Sequence, residues 1–417
     1  VNSFRPITAR PLSGEAGKIK VAVVGCGPAG LMAATVLSEA GFAVEMFESK
    51  QAIGLKFLLA GRGGLNLTRA EPLPAFAAHY GDNAARFREL LTAFSPDNLR
   101  AWLRNLGVET FVGSSGRIFP VKAEARDILK RWSEWLGRQG TVFHLRHRWL
   151  GFAESGALLL QTDTGENEAF PAAGVILALG GASWPQTGSD GRWTTILTEA
   201  GIRCEPFRPA NCGLEVEWSE HFRSRFQGRV LKNVRLQIAG QQAGGDVLIT
   251  GYGVEGGPVY ALSAKVRDLL EKNGAATLFI DLKPDLSQEQ INQRLARRRN
   301  ESASNFLRKA INLAGPVYPL LREVLLPEEL QSQESLAARL KNLPLEVRAT
   351  RPLAEAISSA GGLTFAELND ELMLNKMPGV FVAGEMLDWE APTGGYLLQG
   401  AFTTGCIAGR GLLAWLA

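Results

Sequence analysis

Little in this chain points to metal or thiol chemistry. Its 417 residues include only four cysteines and four histidines, and Cys26, Cys204, Cys212 and Cys406 form no CxxC pair. That argues against a zinc site, a dithiol redox centre or a secreted disulfide framework, so no metal is expected. No apolar run reaches the ~18 residues of a membrane span. Residues 1–17 lack the apolar core of a signal peptide and read as a loose tail. A formal net charge of +3 places no global demand for nucleic acid or an anionic membrane. Internal repeats and low-complexity segments are absent. These absences point to a cytoplasmic, reduced protein with no membrane contact and no evident obligate protein partner. A hydrophobic content of 46% and a charged content of 21% are ordinary for globular domains. The length suits two or three of them.

What the chain does have begins at residue 18, with KIKVAVVGCGPAGLMAATVLSEAGFAVEMFES. The run from Lys20 to Val24 suits a parallel strand buried on both faces. Gly25 then permits a tight turn, Gly27 lets a pyrophosphate approach the backbone, and Gly30 lets helix and strand pack closely. Pro28 and Ala29 open the helix, whose free N–H groups and positive dipole end suit a diphosphate. Leu31, Ala34 and Leu37 continue it, and Gly41 ends it. A second strand, Ala43 to Phe47, carries Glu48 at its tip, 18 residues after Gly30. A carboxylate there accepts hydrogen bonds from ribose hydroxyls and repels a 2′-phosphate. The site is therefore for FAD or NAD, not NADP.

Further along, a glycine-rich loop spans residues 54–68. Ser95-Pro96 starts a helix, and a second helix over about 123–136 carries Ile128, Leu129, Trp132, Trp135 and Leu136 on one face. Strands follow at about 142–145 and 156–162. A third buried run, Val175 to Leu179, leads into Gly180-Gly181. Residues 203–285 are rich in strands and turns, and 286–348 are helical, opening on a Ser287…Gln290 capping box. A buried strand at 380–383, Gly384-Glu385 and a terminal helix from about Gly395 close the chain. The architecture this implies is α/β: a Rossmann-like FAD-binding domain from residues 18–202 and 349–417, with an inserted β-barrel (203–285) and a small helical unit (286–348). A second GxGxxG, Gly251 to Gly256, has its acid, Asp281, 25 residues after its last glycine, and Gly257-Pro258 intervenes. It reads as a substrate or flavin loop rather than a nicotinamide site.

None of the four histidines, His79, His144, His147 and His221, stands in the setting of a nicotinamide dehydrogenase's acid/base, whereas FAD employs distant glycine-rich segments along its length. Four such segments resemble a bacterial family of NAD(P)/FAD-dependent oxidoreductases that includes aminoacetone oxidase and a bile-acid-reducing flavoenzyme. They are the first fingerprint; KFLLAGRGGLNLTR, matching a Lys…Ser-Gly-Gly-Gly-Arg-Cys-Asn-x-Thr-Asn pattern at Lys56, Gly61, Gly63, Asn66 and Thr68; LALGGASWPQTGSDG; and VFVAGEMLDWEAPTGGYLLQG. In the second, Ala60, Gly64 and Leu65 depart from the pattern and Arg62 stands two positions early. In the third, Leu179 stands where Thr is usual; in the insert, Gly251 replaces a His. The resemblance implies a glutathione-reductase-type FAD domain with an inserted barrel and helical bundle. It also implies Glu385 as the acid that bonds the ribityl chain, with Gly394, Gly395, Tyr396 and Gln399 matching the family's loop and helix.

FAD supplies hydride chemistry, while the protein supplies placement and electrostatics. The cofactor-binding set is Gly25, Gly27, Pro28, Ala29, Gly30, Glu48, Lys56, Arg62, Gly63, Asn66, Gly180, Gly181, Gly384, Glu385, Gly394, Gly395 and Tyr396. Arg62 and Lys56 are candidates to meet phosphate or carboxylate. Asn66 either bonds a flavin edge or substrate carbonyl, or caps its loop. Tyr396, Tyr252, Trp184 and Trp389 either wall the pocket or fill the core, and Glu255 is a candidate base. The catalytic residue is not identified; Asn66, Tyr252 and Tyr396 are the candidates. The leading function is a FAD-dependent oxidoreductase for a small organic substrate, with non-covalent FAD and with NAD(P)H, O2 or a quinone as transient electron partner. Two alternatives remain: an RNA-modifying or RNA-binding flavoprotein using the basic stretch with Arg294, Arg297, Arg298, Arg299, Arg308 and Lys309, and a non-catalytic FAD sensor. No nucleic-acid partner is expected, because the stretch lacks interleaved aromatics before Phe306.

Overall fold

The computed structural model describes residues 19–61, 64–296, 303–313 and 315–417. They divide into two compact units, one ending at Arg208 and resuming with Ser358–Ala417, the other Pro209–Ile357.

The first unit is built on five parallel strands. Across the sheet they run Val380–Val382, Val175–Leu177, Lys20–Val24, Ala43–Glu48 and Val142–Leu145. In chain order the strands read 3-2-1-4-5, the doubly wound order, with the first strand central and the chain's far end at one edge. Alternation along the first strand splits the core. Val21 and Val23 pack with Leu31, Leu37 and Trp132 on one face, and Ala22 and Val24 with Leu158, Leu160 and Val382 on the other. A buried side chain of this kind contributes roughly 1.5–3 kcal/mol. Pro28–Glu39 follows the first glycine turn, and the terminal helix Tyr396–Leu416 lies along it. The approach is close because Gly405 has no side chain: a Cβ there would sit 2.2 Å from Ala29 O.

Three local expectations shift. The glycine-rich loop 54–68 contains a helix, Leu55–Ala60, entered through Gly54 in the left-handed region. Its residues favour helix, and burial of Phe57 anchors it. The boundaries near 202 and 349 move to Arg208 and Ser358, because Cys204–Ala210 pairs with Ser358–Leu363 in a two-stranded sheet. The expected barrel and helical unit share one core: Leu278 and Leu343 from strands pack with Ile291, Leu295 and Leu321 from helices.

The second unit's sheet has seven strands, all its pairings antiparallel, and its hydrogen bonding is open at Leu343–Val347 and Ala349–Thr350 rather than closed into a ring. The second GxGxxG lies here. Its own residues Gly253–Glu255 form a strand, paired antiparallel with both Gln241–Ile249 and Leu214–Glu215. The glycines thus lie within an antiparallel strand pair and not at the turn from a parallel strand into a helix, so this is not a dinucleotide fold. Gly256 serves the packing instead, since a Cβ would lie 2.5 Å from Asp246 O.

Candidate functional site

The three glycines of the first turn have different reasons to be glycine. At Gly25 (φ 101°) a Cβ would lie 2.2 Å from Ala178 O, and at Gly30 1.9 Å from Gly25 O. Both are demanded by the chain's own packing. Gly27 is not: its φ of −81° and ψ of −178° suit any residue, and a Cβ would meet nothing within 4 Å. The space before it is open, at the N-terminus of Pro28–Glu39, where unpaired N–H groups face outward. That place fits a diphosphate, which needs both the bare backbone and the dipole.

A carboxylate stands on each side of this place. Toward the second strand, Glu48 Oε2 accepts from Cys26 N–H at 3.0 Å and Oε1 accepts from Lys50 N–H at 3.0 Å. Burial raises its pKa, and those two N–H groups pull it back down. Glu48 is therefore braced by the glycine turn that precedes it. On the other side, Gly384 abuts the first helix turn, 2.8 Å separating its would-be Cβ from Ala29 Cβ. Its N–H donates to Thr404 Oγ1 at 2.9 Å, and its carbonyl accepts from Trp389 Nε1 at 2.9 Å. Trp389 is thus a buried brace rather than a pocket wall.

Glu385, the next residue, gathers groups from three other parts of the sequence. Its Oε2 accepts from Lys56 Nζ at 2.6 Å, and its Oε1 accepts from Ser359 N–H at 2.9 Å. Lys56 also donates to Ser183 Oγ at 2.6 Å, and Ala182 N–H to Ser359 Oγ at 3.1 Å. Gly181 completes the pocket, since a Cβ would fall 1.9 Å from Ser359 Oγ. Gly180 (φ 73°) is held through its carbonyl by Trp193 Nε1 at 2.8 Å. Lys56 thus has a carboxylate partner of its own instead of standing free for phosphate. Ser183 and Ser359 went unnoticed in the sequence, where an isolated serine carries no pattern.

Gly394, Gly395 and Tyr396 form a second locality. Gly395 (φ 103°) packs on a strand, its Cβ position 2.5 Å from Thr68 C. Tyr396 is buried, donates to Glu71 Oε1 at 2.7 Å and meets the His79 ring at a tilt, with centroids 4.2 Å apart. Burial and Glu71 hold its hydroxyl well above the usual phenol range. Its carbonyl accepts from Tyr80 Oη at 2.7 Å. Asn66 is half-buried with Oδ1 unpartnered, so that oxygen does not cap the loop. Tyr252 belongs to the second unit, donating to Glu255 beneath Arg351, whose Cζ is 4.2 Å from the ring centroid. Arg62 and Gly63, like Arg297, Arg298 and Arg299, lie outside the described residues. Among the described residues no helix is long and apolar enough to cross a membrane, and all four cysteines are free.

Residues 19–411 match the family described as HI0933-like protein Rossmann domain. The chain is 27% identical to the 3-dehydro-bile acid delta(4,6)-reductase of Clostridium scindens, over 94% of this chain and 98% of that protein. It is 23% identical to the ribosomal RNA dihydrouridine synthase of Haemophilus influenzae, over 92% and 95% respectively. Among solved structures, the 3-ketosteroid-delta4-(5alpha)-dehydrogenase of Rhodococcus jostii shares the fold at a TM-score of 0.52 and 16% identity, covering 98% of this chain and 99% of that one.

Proposed function

Because this chain belongs to the HI0933-like Rossmann-domain family and is a FAD-dependent oxidoreductase, we propose that it acts on a carbon–carbon double bond in a small organic substrate. The supporting observation is the open approach to Gly27 with a carboxylate on either side, Glu48 and Glu385. A dinucleotide with sugar hydroxyls at both ends of its diphosphate needs an acceptor at each. Glu48 takes the adenosine ribose, Glu385 the ribityl chain, and Lys56 holds the Glu385 carboxylate in position. The Gly394–Tyr396 helix start faces the flavin's pyrimidine edge. Bound FAD supplies a hydride acceptor or donor, and the chain's residues place it and exclude water. NAD(P)H is the proposed transient donor.

The names of two relatives support the reaction class, since a Δ4,6-reductase and a dihydrouridine synthase both add two hydrogens across a double bond. Four free cysteines fit the reducing cytoplasm as the place of action. The purified protein should be yellow, and acid or heat should release its flavin into solution. Under anaerobic NADH or NADPH the colour should bleach, and a 3-oxo-Δ4,6 steroid acid should restore it before air is admitted. A protein that bleaches with neither, that regains colour only with air, or that is bleached by an amine substrate instead, defeats this reading.

A second reading, with uridine in RNA as the substrate, is favoured by the Haemophilus relative. It needs a basic surface whose binding falls steeply with salt. We expect no complex with a ribosomal RNA fragment at physiological salt. A salt-sensitive complex lost on replacing Arg297, Arg298 and Arg299 with Ala would put RNA in place of the small substrate.

A further inference from the structure

Two arginines have no part in the site so far, and the fold sets them face to face. Thr68–Arg69 pairs antiparallel with Arg117–Pro120, in a register that puts Arg69 directly opposite Arg117. Cross-strand partners project from the same face, where like charges repel. Their surroundings do not cancel the charge. Glu71 lies 3.9 Å from Arg69 Nε but is already engaged by the Tyr396 hydroxyl. His79 lies 3.6 Å from Glu71, and burial lowers its pKa, which favours the neutral ring. Arg117 forms no ion pair among the described residues, and its Nε is buried without a hydrogen-bond partner. Two guanidinium charges thus stand against one carboxylate.

Both side chains border one place. A Cβ on Gly394 (φ 123°) would lie 3.8 Å from Arg117 Nε, 3.8 Å from Arg69 Nη1 and 3.5 Å from the Tyr396 ring. Two nitrogens at that distance from a common point are at most twice it apart. A carboxylate accepting one hydrogen bond of about 2.8 Å on each oxygen bridges such a gap.

We propose that Arg69 and Arg117 form a carboxylate subsite, so that the substrate is an organic acid held by its carboxylate beside Gly394. The planar Tyr396 ring along one side suits a flat carboxylate better than a tetrahedral phosphate. This inference rests on the small-substrate reading above and adds the substrate's charge.

The test is calorimetric titration of the flavin-loaded protein with cholate, its uncharged methyl ester and inorganic phosphate. Cholate should bind at least about tenfold more tightly than the ester, the scale of one charge-assisted contact. Arg69→Gln and Arg117→Gln should each weaken cholate about tenfold or more at unchanged FAD content and melting temperature. Arg117→Lys should recover part of the loss. Equal binding of acid and ester, displacement of cholate by equimolar phosphate, or loss of FAD in step with cholate would each overturn the subsite; the last assigns the charges to the flavin. Heat reports binding whether or not flavin is bound. A colourless protein would therefore count against the FAD reading and not against this one.

Discussion

Replacing Gly27 with Ala separates a glycine kept for the fold from one kept for a ligand. In the unliganded chain the new methyl meets nothing within 4 Å, and φ −81°, ψ −178° is ordinary for alanine. Removing backbone freedom from the unfolded state contributes about 0.4–1 kcal/mol, offset by the poorer fit of Ala than Gly at this N-cap, so the apoprotein should melt close to the wild type. The same methyl occupies the approach of the diphosphate to the N–H groups of the first helical turn. Losing one charge-assisted hydrogen bond costs about 1.5–3 kcal/mol, roughly 10- to 100-fold in Kd. Gly25→Ala and Gly30→Ala should behave oppositely. Their methyls fall 2.2 Å from Ala178 O and 1.9 Å from Gly25 O, so the backbone must shift before any ligand arrives. Overpacking of that kind destabilises by about 1–3 kcal/mol or more. Urea melts of flavin-stripped protein give the first quantity, and quenching of FAD fluorescence on titration gives the second. The reasoning is refuted if Gly27→Ala melts as early as Gly25→Ala, or binds FAD with the wild-type Kd.

Two other substitutions or probes follow from the same geometry. Glu48→Ala should weaken FAD by about 1–3 kcal/mol and also lower the apoprotein's stability, because Cys26 N–H and Lys50 N–H lose their acceptor; unchanged FAD affinity would place the ribose elsewhere. Cys204, half-buried beside Glu367 and Glu205, has its thiol pushed up to about 11, chiefly by burial. Iodoacetamide should therefore label it at pH 8 about two orders of magnitude more slowly than a free thiol, with the rate still climbing toward pH 11. Mass spectrometry of the modified peptide reads this directly, and a labelling plateau near pH 9 would contradict it.

The nucleotide half of the fold was legible in one dimension because its signals are local. A buried five-residue strand, three glycines at fixed spacing and an acid at the next strand tip are set by backbone sterics within one βαβ unit. Ser95 and Ser287 marked helix starts for the same reason, each accepting from the backbone N–H three residues on. The family resemblance at Gly384-Glu385 pointed to a far segment without saying what it touches. Only the tertiary structure could bring Lys56 to Glu385, because ion pairs across 329 residues follow from which edge of the sheet each strand takes. It also decided that Leu55–Ala60 is a helix, where Phe57 has a core to enter. It showed that the second GxGxxG sits in an antiparallel sheet, a matter of strand direction that no glycine spacing encodes. The Arg69–Arg117 pair belongs to the same class: two unremarkable arginines become one charged locality because a strand register sets them opposite each other. Local geometry is written in neighbouring residues, while register and strand order are set by the packing of the whole unit.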